Sequence, residues 1–106
     1  MSKIYRQGDI LLIRLPDEDR VEGKPLEKED GRVILAYGEA TGHVHAITDP
    51  GALLFAFGEQ RQLLLENPAM LSHEEHAPIS LPAGRYQVIR QREFIDFEDL
   101  GDNVKD

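Results

Sequence analysis

Short apolar runs separated by glycine and proline turns are the feature that most restricts the fold of this chain. The runs recur at intervals of roughly 8–12 residues, and about seven of them have the length and the β-branched or alternating composition of strands. Regular short strands at this spacing are typical of an all-β sandwich or barrel, and we find no internal repeat or linker. The sequence therefore predicts a small single-domain all-β fold over residues 1–106.

The turn residues also predict local geometry. Gly58-Glu59 separates two apolar runs, and a two-residue loop with glycine first is typical of a tight β-hairpin. Pro82-Ala83-Gly84 combines a fixed φ with a residue that tolerates positive φ, so we expect a turn before the longest alternating stretch at 85–94. After that stretch the sequence allows one short C-terminal helix, because apolar residues recur at three- or four-residue steps. These residues are Phe94, Phe97, Leu100 and Val104.

The acidic charge of the chain is concentrated in two segments. Residues 17–30 contain seven acidic and three basic side chains, and residues 94–106 contain five acidic and one basic, so each segment carries −4. Together the two segments account for the whole net charge of −8. Charge runs of this kind are usually solvated, and we interpret them as a mobile acidic loop at 17–31 and an acidic tail at 96–106.

Composition excludes several classes of function. The rest of the domain is neutral and has no clustered positive charge, so we expect no nucleic-acid partner. No apolar run approaches the roughly 18 residues of a membrane span, and the N-terminus has no signal-peptide core. We therefore expect no membrane association and a cytoplasmic location. Because the chain has no cysteine, disulfides and thiolate chemistry are excluded.

All four histidines of the chain fall in two short clusters. Thr41-Gly42-His43-Val44-His45 places two imidazoles at i and i+2, which share one face of an extended strand. His73-Glu74-Glu75-His76 pairs a histidine with a glutamate on each face if it is extended, and brings its two histidines together on a helical turn. The sequence leaves open whether the two clusters meet, because strand order cannot be determined from one all-β sequence.

Imidazoles with neighbouring carboxylates form a donor set for divalent transition metals such as zinc, nickel, iron or manganese. We therefore predict a histidine-lined pocket that binds such a metal. Glu74 and Glu75 are candidates for a further ligand or for a general base that acts on metal-bound water. Glu39 is predicted to orient an imidazole without contacting the metal. The predicted metal ligands are His43, His45, His73 and His76.

The same residues are compatible with a non-enzymatic structural or protein-interaction module. In that alternative the histidines are only hydrogen-bonded, and exposed strand edges or the aromatic residues Phe94 and Phe97 contact a protein partner or a second copy of the chain. The metal hypothesis requires His43, His45 and a residue of the second cluster to converge. The sequence alone does not decide between an enzyme and a binding module.

Five runs carry a resemblance to other proteins. They are RQGD at 6–9, YGEATGHVH at 37–45, HEEHAP at 73–78, LPAGRY at 81–86 and RQREF at 90–94. Together they resemble a family of small bacterial and phage-associated proteins of unassigned function. The resemblance covers nearly the whole chain except 17–30 and the acidic tail, and it implies a shared organisation without implying an activity.

A partial resemblance to the cupins, which are small β-barrels, rests on two further matches. Gly42-His43-Val44-His45 resembles the core of the first cupin motif, and Pro82-Ala83-Gly84 resembles the turn of the second. The resemblance implies a β-barrel with metal-binding histidines. Asp49 is the one acidic residue where cupins have a glutamate after the histidine pair, and no histidine follows the second turn. His76 or His73 would then have to supply the missing ligand.

Overall fold

Residues 3–16, 23–37 and 43–90 are described by the structure, which is a computed structural model. These residues form ten β-strands in two antiparallel sheets, which confirms the predicted all-β fold. The strands are β1 (Ile4–Gln7), β2 (Ile10–Leu15), β3 (Lys24–Pro25), β4 (Val33–Tyr37), β5 (Val44–Ile47), β6 (Ala52–Phe57), β7 (Gln60–Leu65), β8 (Ala69–Ser72), β9 (Ile79–Leu81) and β10 (Gly84–Arg90).

The six-stranded sheet has the order β1-β2-β10-β7-β6-β3, and the four-stranded sheet has the order β4-β5-β8-β9. The described residues thus contain more strands than the seven or so expected, and β1 and β3 are the strands that the sequence did not indicate. β1 is four residues of mixed polarity, and β3 is two residues within the segment expected to be a loop. Neither gives a run of alternating apolar residues long enough to be recognised.

One hydrophobic core joins the two sheets. Leu12, Leu63 and Tyr86 from the six-stranded sheet belong to the same buried cluster as Ile47 and Leu71 from the four-stranded sheet. Along β10, Tyr86 and Val88 are buried while the residues between and beside them are half-exposed, as period-two alternation predicts. Two sheets around one core form a two-layer arrangement, which corresponds to the sandwich alternative.

The two tight hairpins of the six-stranded sheet have the same construction. Gly8-Asp9 connects β1 to β2, and Gly58-Glu59 connects β6 to β7, with the flanking residues paired directly. The first loop residue has a φ of 60° at Gly8 and 63° at Gly58, which favours glycine. The hairpin predicted at Gly58-Glu59 is therefore confirmed.

Several predicted features lie outside the described residues. The acidic loop at 17–31 is described only from residue 23, where it contains β3. The acidic tail, the C-terminal helix and the end of the 85–94 stretch lie beyond residue 90. Within the described ranges, no helix is long and apolar enough to cross a membrane.

Tyr86 provides a test of the core that does not involve the histidines. Its ring is fully buried, and its hydroxyl donates a hydrogen bond of 2.5 Å to the carbonyl oxygen of Pro82. Burial, together with the neighbouring Tyr5, raises the pKa of Tyr86 above its usual value. The folded state therefore favours the protonated phenol.

We predict that Tyr86→Phe lowers the free energy of unfolding by about 1 kcal/mol at neutral pH, because the Pro82 carbonyl loses its partner. The wild-type contribution is complete below the unfolded pKa of about 10 and is lost as the pH rises through the higher folded pKa. The stability difference between the two proteins should therefore narrow above pH ~10. Urea unfolding of both proteins at neutral and alkaline pH measures this stability difference. A difference that does not change with pH would contradict a raised pKa of Tyr86 in the folded state.

Candidate metal centre

The candidate site lies where three segments of the chain meet. The tip of the β1–β2 hairpin contributes Gln7 and Asp9. His43 lies directly before β5, and His45 is the second residue of that strand. The connection between β8 and β9, residues 73–76, contributes the second histidine cluster. The hairpin belongs to the six-stranded sheet and β5 to the four-stranded sheet, so the site spans both sheets.

The two histidine clusters form one group. The ring centroids of His45 and His73 are 4.4 Å apart, and those of His73 and His76 are 4.6 Å apart. His43 lies against His73 with an edge-on ring at 5.6 Å, and His45 stacks over His76 at 6.1 Å. The convergence that the sequence left open is therefore present, and His73 is the ring that contacts the other three.

Gln7 fixes the orientation of the His45 ring. Its amide nitrogen donates hydrogen bonds to the carbonyl oxygens of Leu71 at 2.9 Å and Ala77 at 3.0 Å, so its oxygen Oε1 is the free acceptor. That oxygen lies 2.8 Å from Nδ1 of His45. Because an amide oxygen can only accept, Nδ1 must carry a proton. The lone pair of neutral His45 is consequently on Nε2.

Asp9 faces that second nitrogen. Its Oδ1 lies 3.2 Å from Nε2 of His45, and its Oδ2 lies 3.6 Å from the Nη2 atom of Arg90. Arg90 also donates a 3.1 Å hydrogen bond to the carbonyl oxygen of Tyr37, which anchors the guanidinium. The carboxylate is therefore oriented by a cation on one side while its other oxygen points toward His45.

The pair formed by His45 and Asp9 is suited to a cation. His45 is only 4% exposed, and burial, together with His73, lowers its pKa despite the opposing effect of Asp9. A neutral imidazole that donates from Nδ1 presents a lone pair to a carboxylate, and this contact is repulsive unless a proton or a metal ion is shared. Metal bonds of about 2.1 Å at tetrahedral or octahedral angles separate two ligand atoms by about 3.0–3.4 Å. The observed 3.2 Å falls within that range.

A second group of donors lies beside this pair. Ligand atoms of His43, His73 and Glu74 all lie within 4.8 Å of one another. Glu74 accepts a 3.0 Å hydrogen bond from the backbone N–H of Val44, and this bond lowers its pKa. A carboxyl group that remains ionised is a good metal ligand but a weaker base, which favours the ligand role among the two predicted for Glu74.

The remaining polar contacts define what a metal would have to change. Nδ1 of His73 accepts a 3.0 Å hydrogen bond from the backbone N–H of Glu75, so the neutral ring carries its proton on Nε2. Coordination through either nitrogen of His73 therefore breaks this bond. The carboxylate of Glu75 lies 3.5 Å from Nδ1 of His43 and is largely exposed. It lies at the outer edge of the group.

Gly8 brings the hairpin backbone into contact with the histidines. A β-carbon placed on Gly8 would lie 2.6 Å from Nε2 of His76 and 3.3 Å from Cε1 of His45. At Gly58, the equivalent position of the other hairpin, a β-carbon would meet no atom within 4 Å. Glycine is therefore favoured at position 8 by the backbone conformation, and a side chain there would displace the His76 ring.

Comparison with known families assigns residues 6–91 to a domain of unknown function, DUF8820. The chain belongs to this family. The match agrees with the expected membership of a family of unassigned function. The DUF8820 region contains both histidine clusters, together with Gln7, Asp9 and Arg90. No curated protein and no solved structure matches the chain.

The structure brings the four predicted histidines of this DUF8820 domain together, with Glu74 and Glu75 beside them. Glu39 lies outside the described residues. Gln7 and Asp9 are not among the predicted site residues and are noted in the sequence only as part of the RQGD run at 6–9. The signal that could have indicated them is the hairpin itself, because a Gly-Asp loop places a carboxylate at an exposed strand end.

The first prediction for the site concerns the His45 tautomer. We expect metal-free protein to have His45 protonated at Nδ1, because Gln7 can only accept there. Nitrogen-detected NMR of the imidazoles distinguishes the two tautomers. A proton found on Nε2 alone would contradict this tautomer.

Gln7→Leu leaves the Leu71 and Ala77 carbonyls without their amide donor. It should lower the free energy of unfolding by about 1–3 kcal/mol, which urea unfolding measures.

The second prediction compares Gly8→Ala with Gly58→Ala. Both substitutions strain a residue of nearly equal positive φ, so each should cost about 1–2 kcal/mol of stability. His76 is exposed and can turn away from a new methyl group, so the stability losses should be similar. Only Gly8→Ala should shift the imidazole NMR signals of His76 and His45. Equal effects of both variants on these signals would contradict the packing.

Proposed function

We propose that the histidine cluster binds a divalent transition metal such as zinc, nickel, iron or manganese. The observation that carries the proposal is the pair of His45 and Asp9, whose facing donor atoms are 3.2 Å apart and are each oriented by another residue. His45 and Asp9 would supply the first two ligands. His73, whose ring contacts His45, would supply the third.

His43 and Glu74 complete the proposed donor set. Their atoms lie within 4.8 Å of those of His73, which is wider than the about 3.0–3.4 Å between ligands of one metal. Binding therefore requires the side chains to close in, and His73 must give up its hydrogen bond from Glu75. Imidazole and carboxylate together suit the metals named above and include no soft sulfur ligand.

The surroundings of the ligands support the same proposal. A ligating histidine usually donates its other N–H to an oxygen acceptor, and here Gln7 provides that acceptor for His45. A ligating carboxylate is usually fixed by a further partner, and here Arg90 lies beside Asp9. Exposed Asp9 and Glu74 leave the site accessible to an ion from solvent.

A structural role of the histidines is the second candidate function. It is favoured by a specific observation, namely that both ring nitrogens of His45 and Nδ1 of His73 already have partners within the protein. In this alternative the cluster holds the hairpin and the β8–β9 connection together, and the domain acts through contacts with a protein partner or a second copy. The partial cupin resemblance and the existence of a protein partner remain predictions.

Metal analysis of tag-free protein, with competition titrations for each of the four metals, tests the proposal. Asp9→Asn keeps the size of the side chain and removes its charge. It should weaken binding by at least about tenfold, since the loss of even an outer partner of a ligand costs 10–100-fold. Glu59→Gln is the matched control, because Glu59 occupies the same second position of the other hairpin.

The outcomes separate the two candidates. Near-stoichiometric metal that Asp9→Asn loses and Glu59→Gln retains would support the metal site. Protein that binds none of the four metals while remaining folded would favour the structural role. Equal metal affinity of all three proteins would show that Asp9 is not a ligand.

A further inference from the structure

A groove runs along the outer face of the four-stranded sheet and ends at the candidate metal centre. It has a volume of about 290 Å³. The floor is formed by the β5 residues Val44 and Ala46 with Thr48 just beyond the strand. His73 and Glu74 line one part of the groove, and both belong to the donor group described above. A molecule in the groove would therefore reach the metal ligands directly.

The polar groups of the groove are arranged along its length. Arg32 lies next to Thr48, since Val33 pairs with Ile47 on the neighbouring strands. Ser72, which pairs with Ala46, adds a hydroxyl midway. Four residues of an extended strand cover about 13 Å, so this is the approximate separation of the two ends along the backbone. The groove thus has a cationic side chain at one end and the candidate metal ligands at the other, with a short apolar floor between them.

The charge of Arg32 acts on Tyr37, but the guanidinium pairs with no carboxylate within the described ranges. The Arg32 side chain is half-buried and makes no hydrogen bond or ion pair with another described residue, although the chain as a whole is acidic. A guanidinium offers a planar fork of donors that fits a carboxylate or phosphate with two parallel hydrogen bonds. Arg32 is therefore suited to fix the anionic end of a small molecule.

We propose that this groove binds a small organic anion, with its carboxylate or phosphate on Arg32 and its other end at the metal held by the histidine cluster. The inference rests on the proposed metal function. Glu74 places a negative charge at the end of the groove that faces the metal site. Without metal, this charge repels the second anionic group of a doubly charged ligand. A bound metal cation makes the local charge positive and removes the repulsion. Binding of the anion should consequently depend on the metal.

Straight-chain dicarboxylates provide the probe. Metal-loaded full-length protein is titrated with succinate, adipate, suberate and acetate by calorimetry, and the metal content of each sample is measured in parallel. We expect a dicarboxylate of intermediate or greater length to bind more tightly than acetate, because only a longer molecule reaches both ends. Metal-free protein should bind the same dicarboxylate at least about tenfold more weakly.

Substitutions of Arg32 test whether this residue binds the anionic end of the ligand. Arg32→Gln should weaken the best dicarboxylate by at least about tenfold while leaving metal affinity unchanged. Arg32→Lys, which retains the charge without the planar fork, should give an intermediate loss. Arg61→Gln is the control, because Arg61 lines a different cavity with Leu26 and Leu54. The Arg61→Gln variant should bind the dicarboxylate with the same affinity as the wild-type protein.

The results distinguish failure of this inference from failure of the metal site. Metal-loaded protein that binds no dicarboxylate more tightly than acetate, or an Arg32→Gln variant with unchanged affinity, would overturn the groove proposal and leave the metal proposal standing. Failure to bind any of the metals would overturn both. An NMR spectrum of each variant confirms that it is folded.

Discussion

The hydrogen-bonding of the Gln7 side chain is the interaction on which the rest of the site depends. Gln7 is only 2% exposed, yet its amide makes three hydrogen bonds, to Leu71, Ala77 and His45. A buried amide left without partners costs about 1–3 kcal/mol of stability. The folded state therefore favours keeping all three hydrogen bonds together. It ties the β1–β2 hairpin of one sheet to β5, β8 and the β8–β9 connection of the other.

Because of this cross-sheet link, binding of a metal at the candidate site would be coupled to folding. His45 and Asp9 come from different sheets, so a cation shared between them joins the same two layers that Gln7 joins. A ligand that binds only the folded state stabilises it by about 2.7 kcal/mol when present at a hundred times its dissociation constant. In a domain of 106 residues this is a substantial fraction of the total stability.

The sequence predicted the all-β fold and the histidine clusters of the candidate site for physical reasons that can be identified. The histidine pair at 43 and 45 and the cluster at 73–76 are recognisable because their chemistry is carried by local spacing. Gln7 and Asp9 were not recognised because their role depends on strand order, which places a hairpin 36 residues away in sequence beside His45. β1 itself was not predicted, and the residues at its end could not be assigned without it.

Strand β5 explains how a domain of this size can place a candidate metal centre beside a groove. Successive side chains of a strand alternate between its faces, so His45 and Ile47 point into the buried interior while Val44 and Ala46 face the groove. Val44 is the first residue of β5, and its backbone N–H donates a hydrogen bond to Glu74. This bond holds the Glu74 carboxylate at the end of the strand. A molecule in the groove would therefore lie beside His73 and Glu74, two members of the proposed donor set.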